Sequence, residues 1–211
     1  MSILSKRRVV FVLVLLALVG GAVGGGIALY QAYYVGRFGE VVPGQLYRSR
    51  QPRGMQWSVL KRAGIRTVIN LRLAGDNPAD FRQEQERTAE AGVRLVHIPI
   101  GERVPTHGTV EQFIRAVRQG PQPVLVHCEH GRNRTGYTVA AYMIVMEGWS
   151  PDQGLASIRE YGGNPTGDKL NQLMALFNEL ARDRDAWRRR TDPHAPPESL
   201  PASQPSTVPN G

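Results

Sequence analysis

Of its 211 residues the sequence has only one cysteine, Cys128. A lone thiol excludes an intrachain disulfide, so Cys128 is either a small packed hydrophobe or a chemical group. It also argues against a thiol-redox protein, because no second cysteine can resolve a disulfide. No Cys/His cluster has metal-ligand spacing, so neither a metal nor another cofactor is expected. Aromatic residues make up only 7% of the chain, and no basic stripe interleaves with them, which argues against nucleic-acid binding. Internal repeats are absent. Acidic residues are in deficit: 18 Asp and Glu against 26 Lys and Arg leave a net charge of +8, which suits an acidic partner such as phosphate or anionic lipid.

Charge is missing altogether between Arg8 and Arg37. Within that gap, Val9 to Leu29 is long enough to cross a hydrocarbon core, which takes about 20 helical residues. It carries no polar stripe of the kind a soluble surface helix shows. Secretory apolar cores are shorter, about 7–15 residues, so an uncleaved anchor over 9–34 is expected rather than a signal cut near Ala22-Val23-Gly24. Tyr30, Tyr33 and Tyr34 suit an interfacial belt at its far end. Lys6, Arg7 and Arg8, in a basic flank over 1–8, keep the N-terminus cytoplasmic and place the rest outside: a single-pass membrane protein. At the other end, residues 191–211 are rich in proline and serine and almost free of large apolar residues, so a disordered tail is expected.

One domain over 39–190 lies between these ends. Arg66–Arg72, Arg94–Ile100 and Pro123–Cys128 are short β-branched runs and read as strands. Met55–Ala63, Pro78–Ala91 and Thr109–Arg118 read as helices. The last has Val110, Phe113, Ile114 and Val117 on one face. Thr135 onward is apolar nearly all round, so a buried central helix is expected. Ser150-Pro151 starts another helix, and Leu170–Leu180 closes the domain with an amphipathic one. The pattern predicts an α/β fold with a central, mostly parallel sheet flanked by helices.

Cys128 therefore stands where a buried strand ends. Glu129, His130, Gly131, Arg132 and Asn133 form a tight turn into a helix. That turn points several backbone N–H groups into one concavity, a ready anion site. The helix dipole and nearby arginines stabilise a thiolate there. Arg134 presents a fork that grips two oxygens of a tetrahedral anion. A thiolate inside a phosphate cradle has displacement at phosphorus as its obvious reaction.

The stretch His127-Cys128-x-x-Gly131-x-x-Arg134-Thr135-Gly136 resembles the signature of the protein tyrosine phosphatase superfamily, in its dual-specificity branch and bacterial relatives. Val41–Pro52 and Ala63–Arg72 resemble the entry segment of small atypical dual-specificity phosphatases, including those that act on inositol pyrophosphates. The resemblance implies a cysteine-phosphatase fold and a hydrolase working through a phosphocysteine intermediate. It implies that Cys128 is the nucleophile, Arg134 the phosphate-binding arginine and Thr135 the hydroxyl that helps the thiolate leave. His127 would hydrogen-bond behind the cysteine, and Glu129 to Asn133 would supply the loop amides.

Such enzymes use a general acid, usually an aspartate on a loop before the cysteine strand. No aspartate lies between Ile98 and Cys128. Glu102 is the first candidate, with His107 second. Asp76 and Asp80 lie further upstream but could fold over the site. The expected substrate is a phosphorylated protein or a phosphorylated inositol or lipid headgroup, handled by a monomer. A catalytically weak phosphate-binding module on the same fold is the alternative.

Overall fold

The computed structural model describes residues 3–34, 37–54, 56–101, 103–192 and 194. Its first element, α1 (Ile3–Tyr34), contains the 21-residue stretch Arg7–Ile27, which is long and apolar enough to cross a membrane and is not packed against the rest of the chain. Among the described residues it is the one helix with that property. The same length and composition also suit a signal sequence.

Five strands follow: β1 (Gly39–Val42), β2 (Leu46–Arg50), β3 (Thr67–Asn70), β4 (Arg94–His97) and β5 (Val124–Cys128). They form one sheet in the order β1-β2-β5-β3-β4. Only the β1–β2 pair is antiparallel. The expected mostly parallel α/β sheet is therefore present. β1 and β2 were not expected as strands. β1 is a four-residue edge strand whose residues are exposed or half-buried, so its apolar signal is weak.

β5 lies in the middle, and all five of its residues are buried. That is why it reads as a continuous apolar run rather than an alternating one. Successive side chains on a strand point to opposite faces. Leu125 packs with Leu60, Ile65 and Val68 on one face, whereas Val124, Val126 and Cys128 join the larger core on the other.

Three helices connect the strands: α2 (Gln56–Arg62), α3 (Pro78–Glu90) and α4 (His107–Gln119). Asn77 caps α3, accepting from the amides of Ala79 and Asp80. Thr106 caps α4, which starts two residues before the predicted Thr109. The predicted face of α4 is correct: Val110, Phe113, Ile114 and Val117 are fully buried.

The chain then folds into four more helices: α5 (Asn133–Met146), α6 (Pro151–Glu160), α7 (Gly167–Arg182) and α8 (Arg184–Arg190). α5 is buried over nearly its whole length, as its composition requires. α6 opens with a full capping box between Ser150 and Gln153. α7 is not the last element, and Thr191, assigned to the tail, is fully buried with its hydroxyl bonded to the Trp187 carbonyl. Most of the expected tail lies outside the described residues.

Because Leu125 is the pivot of the smaller core, Leu125→Ala should cost about 2–5 kcal/mol of unfolding free energy. Urea denaturation of the domain would measure it.

Candidate active site

Cys128 ends β5, and α5 begins five residues later. The neighbouring strands hold the root of the intervening loop on both sides. Leu71 N donates to the His127 carbonyl (3.0 Å), and Gln51 N donates to the Glu129 carbonyl (3.2 Å). Gly131 has φ +66, and a Cβ there would stand 2.5 Å from the Ser49 carbonyl oxygen. Position 131 therefore needs glycine twice, for its backbone angle and for its contact with β2. Arg132 precedes α5 without a side-chain cap. The first amides of α5 thus receive no capping oxygen from Arg132, which suits an anion.

Above the loop is a cleft of about 330 Å³, lined by Cys128, His130, Arg132, Asn133, Arg134 and Tyr137 together with Arg103 and Lys169. Of the predicted site residues, Cys128, His130, Arg132, Asn133 and Arg134 line this one cleft. Arg134 is oriented from outside: its Nη1 donates to Asp76 Oδ2 (2.9 Å) and to the Ile100 carbonyl (3.3 Å). Thr135 is fully buried, and its hydroxyl has no hydrogen-bond partner among the described residues.

The side chain of Glu129 is not part of the cleft lining. It pairs beneath the loop with Arg72 (2.5 Å) and Arg53 (3.0 Å), and both arginines also pair with Asp80. The Arg53 and Arg72 guanidiniums hold the Asp80 carboxyl below its ordinary value, with the Arg53 hydrogen bond the largest cause. Asp80 is thus committed to this network and is not a free acid. Within this network the Arg72–Asp80 pair is largely buried, and removing one partner of such a pair costs about 3–5 kcal/mol.

His107, the second candidate acid, sits elsewhere. Its Nε2 is 2.8 Å from Glu179 Oε1, and its ring stacks on Trp187. The start of α4 packs toward α7 and α8, which removes His107 from the cleft. Glu102 lies outside the described residues. Asp76 is the acidic candidate that reaches the site, through Arg134.

Sequence reasoning missed three buried charges: Arg72, described above, and two more. Arg48 on β2 is 1% exposed; its Nη2 donates to the Gly131 carbonyl (3.0 Å), and its guanidinium lies 3.7 Å from the centre of the Tyr161 ring. Burial pushes it down to about 10, while Tyr161, Cys128 and Glu160 act against that shift. It therefore remains a cation at neutral pH, close enough to interact with charge on Cys128. The second is Glu84 on α3, also 1% exposed. Its Oε1 is 2.7 Å from His127 Nε2, and it accepts from Asn70 and Gln51. β-strand alternation puts His127 on the face opposite Cys128, so the imidazole meets α3 rather than the sulfur. Its Nδ1 lies 3.4 Å from the Cys128 carbonyl oxygen, so any influence on the cysteine runs through the main chain. A polar residue among the apolar-poor positions of α3 gives no sequence signal of burial.

A strand–loop–helix phosphate cradle with a thiol at its base, on this sheet order, defines a protein tyrosine phosphatase superfamily member of the atypical dual-specificity kind. The match of residues 44–175, more than half the chain, to the model of the family described as DSP-PTPase phosphatase fused to NAD+ kinase shows that the chain belongs to that family. The chain is 33% identical over 123 residues to the dual specificity protein phosphatase TpbA of Pseudomonas aeruginosa strain UCBPP-PA14, covering 56% of this chain and 51% of that protein. It is 36% identical over 101 residues to the mouse RNA/RNP complex-1-interacting phosphatase, covering 44% and 31%. The chain thus spans about half the length of the TpbA proteins and less of the mouse one. The crystal structure of P. aeruginosa TpbA superposes with a TM-score of 0.55 at 28% identity, covering 72% of this chain and 88% of that one. The catalytic core of the PP-IP phosphatase SIW14 from S. cerevisiae, in complex with citrate, shares the fold at a TM-score of 0.57 and 21% identity, covering 72% and 93%.

The buried carboxylate of Glu84 yields a pH prediction. Burial raises its pKa, but the His127 imidazole and the hydrogen bonds from His127, Asn70 and Gln51 outweigh that and leave it below the usual carboxylate value. A depressed acid stabilises the fold above its unfolded value and loses that contribution as pH falls through the folded value. Wild-type protein should therefore exceed Glu84→Gln in thermal stability at neutral pH. The gap should close below about pH 4.5. A gap that stays constant with pH would remove the charge from the account.

Proposed function

We propose that the chain hydrolyses phosphomonoesters by nucleophilic displacement at Cys128. The observation that carries this is the shared cleft: a thiol at the end of β5, the uncapped start of α5, and Arg134. In the first step the Cys128 thiolate attacks phosphorus in line. The P–O bond to the leaving group breaks and a P–S bond forms. Loop amides from Glu129 to Asn133 and the Arg134 fork bear the charge on the equatorial oxygens. A general acid gives its proton to the leaving oxygen. In the second step the same group, now a base, takes a proton from water as that water attacks phosphorus. The P–S bond breaks, the Thr135 hydroxyl donates to the departing thiolate, and inorganic phosphate is released. His127 steadies the strand end from the opposite face.

Glu102 is proposed as the acid on its position after β4; Asp76 is the second reading, favoured by its contact with Arg134. The substrate is a phosphorylated protein or a phosphorylated inositol or lipid headgroup. TpbA is a dual specificity protein phosphatase, and a Cys-to-Ser form of it has been crystallised in complex with pTyr. The domain works as a monomer, tethered by α1 with its N-terminus in the cytoplasm and the catalytic domain outside.

Two sets of measurements test this. Cys128→Ser should abolish p-nitrophenyl phosphate turnover, and Arg134→Lys should lower kcat/KM by about 10²–10³. Equal nitrophenol release by wild type and Cys128→Ser would leave only phosphate binding. For the acid, Glu102→Gln should slow an alkyl phosphate by about 10²–10⁴ and p-nitrophenyl phosphate far less, because nitrophenolate leaves without a proton. If that leaving-group signature appears in Asp76→Asn instead, the role belongs to Asp76.

A further inference from the structure

Arg37 lies three residues beyond the end of α1 and also touches the catalytic loop. Its Nη1 donates to the His130 carbonyl (3.0 Å) and its Nε to the Tyr161 carbonyl (3.1 Å). Its φ of +61 is uncommon for a residue with a side chain, so these contacts hold the backbone in a particular turn. Three residues span at most about 11 Å when fully extended. Whatever the tilt of α1, the loop that cradles phosphate cannot be far from where that helix ends.

The charge around this point is mostly positive. Burial lowers the pKa of Arg37, and the like charges of Arg132 and Arg50 lower it further. The cleft beyond adds Arg103, His130, Arg134 and Lys169. Among its described lining residues none is acidic, and the one aromatic, Tyr137, is 1% exposed. Such a wall attracts phosphate and other anionic groups, which suits an anionic headgroup that carries a phosphomonoester.

We propose that the substrate is a lipid carrying a headgroup phosphomonoester, presented by the membrane that holds α1, because Arg37 fixes the rim of the catalytic loop within three residues of the anchor. This rests on the reading of the chain as a membrane-anchored cysteine phosphatase. One water is consumed; inorganic phosphate leaves and the lipid keeps its alcohol. The short tether keeps the cleft at the height of the headgroups, and the basic rim draws anionic lipid toward it.

The test uses the full chain in phosphatidylcholine vesicles containing phosphatidic acid or phosphatidylinositol monophosphates. A second form carries a flexible Gly/Ser segment of about twenty residues inserted between Tyr34 and Arg37, which lowers the effective concentration of the bilayer at the site. Phosphate release is measured from the lipids, a phosphotyrosine peptide, inositol hexakisphosphate and p-nitrophenyl phosphate. At least one lipid should be hydrolysed faster than the peptide and the soluble inositol phosphate. The insertion should slow that lipid about tenfold and change p-nitrophenyl phosphate by less than about twofold. Lipid turnover indifferent to the insertion, or preference for the peptide or the soluble phosphate, overturns the proposal. Two other failures are distinguishable: absent p-nitrophenyl phosphate turnover ends the phosphatase reading, and failure to float with vesicles ends the anchor. Either takes the lipid proposal with it.

Discussion

The pleat of β5 governs the site. Because side chains alternate, His127 and Cys128 leave the strand on opposite faces, and each meets a different set of partners. Cys128 joins the α5 side and opens into the cleft. His127 enters the α3 side and meets Glu84 in an interior closed to bulk solvent. A slip of one residue in the pairing of β5 with β2 and β3 would exchange the two and destroy both environments. Parallel pairing on both sides, Arg50 opposite Cys128 and Asn70 opposite His127, is what prevents it.

From that strand end the charges divide across the loop. Glu129 goes down to Arg72 and Arg53, while His130, Arg132 and Arg134 line the cleft above. The carboxylates near the loop are thus tied to arginines that do not face the cleft, with one exception. Asp76 holds Nη1 of Arg134 itself. That contact, together with the Ile100 carbonyl, fixes the fork before any ligand arrives, so little reorganisation is left for the moment of reaction.

Much of this was legible in the sequence, for a physical reason. Strand, turn and helix from Val124 to Met146 are contiguous, and each is set by local rules: a β-branched run, a glycine at a positive φ, an apolar helix. The face of α4 was equally readable, since four apolar positions share one stripe. What could not be read are contacts made across the fold. Glu84 lies 43 residues before His127 in a helix whose composition is polar, so nothing local marks it as buried. Arg48 shares its strand with a second arginine, Arg50, and only the sheet decides which is enclosed. His107 failed as an acid for the converse reason. Proximity in sequence to the acid loop counts for nothing once α4 turns its first residue toward α7 and α8.

Arg48 also explains why the cradle can tolerate so much positive charge. A buried guanidinium is costly unless its field is used. Here it lies under the loop, bonded to the Gly131 carbonyl and stacked against Tyr161, and its charge interacts favourably with negative charge on Cys128. Arg37 acts on Arg48 as a like charge, and Arg132 and Arg50 act in the same way on Arg37. With a thiolate at its base and a phosphate in its mouth, the same charges become attractive. The cost of assembling the cations is met when the folded chain is built, and the gain appears only when negative charge develops between them. That is the condition for stabilising a transferring phosphoryl group rather than merely storing one.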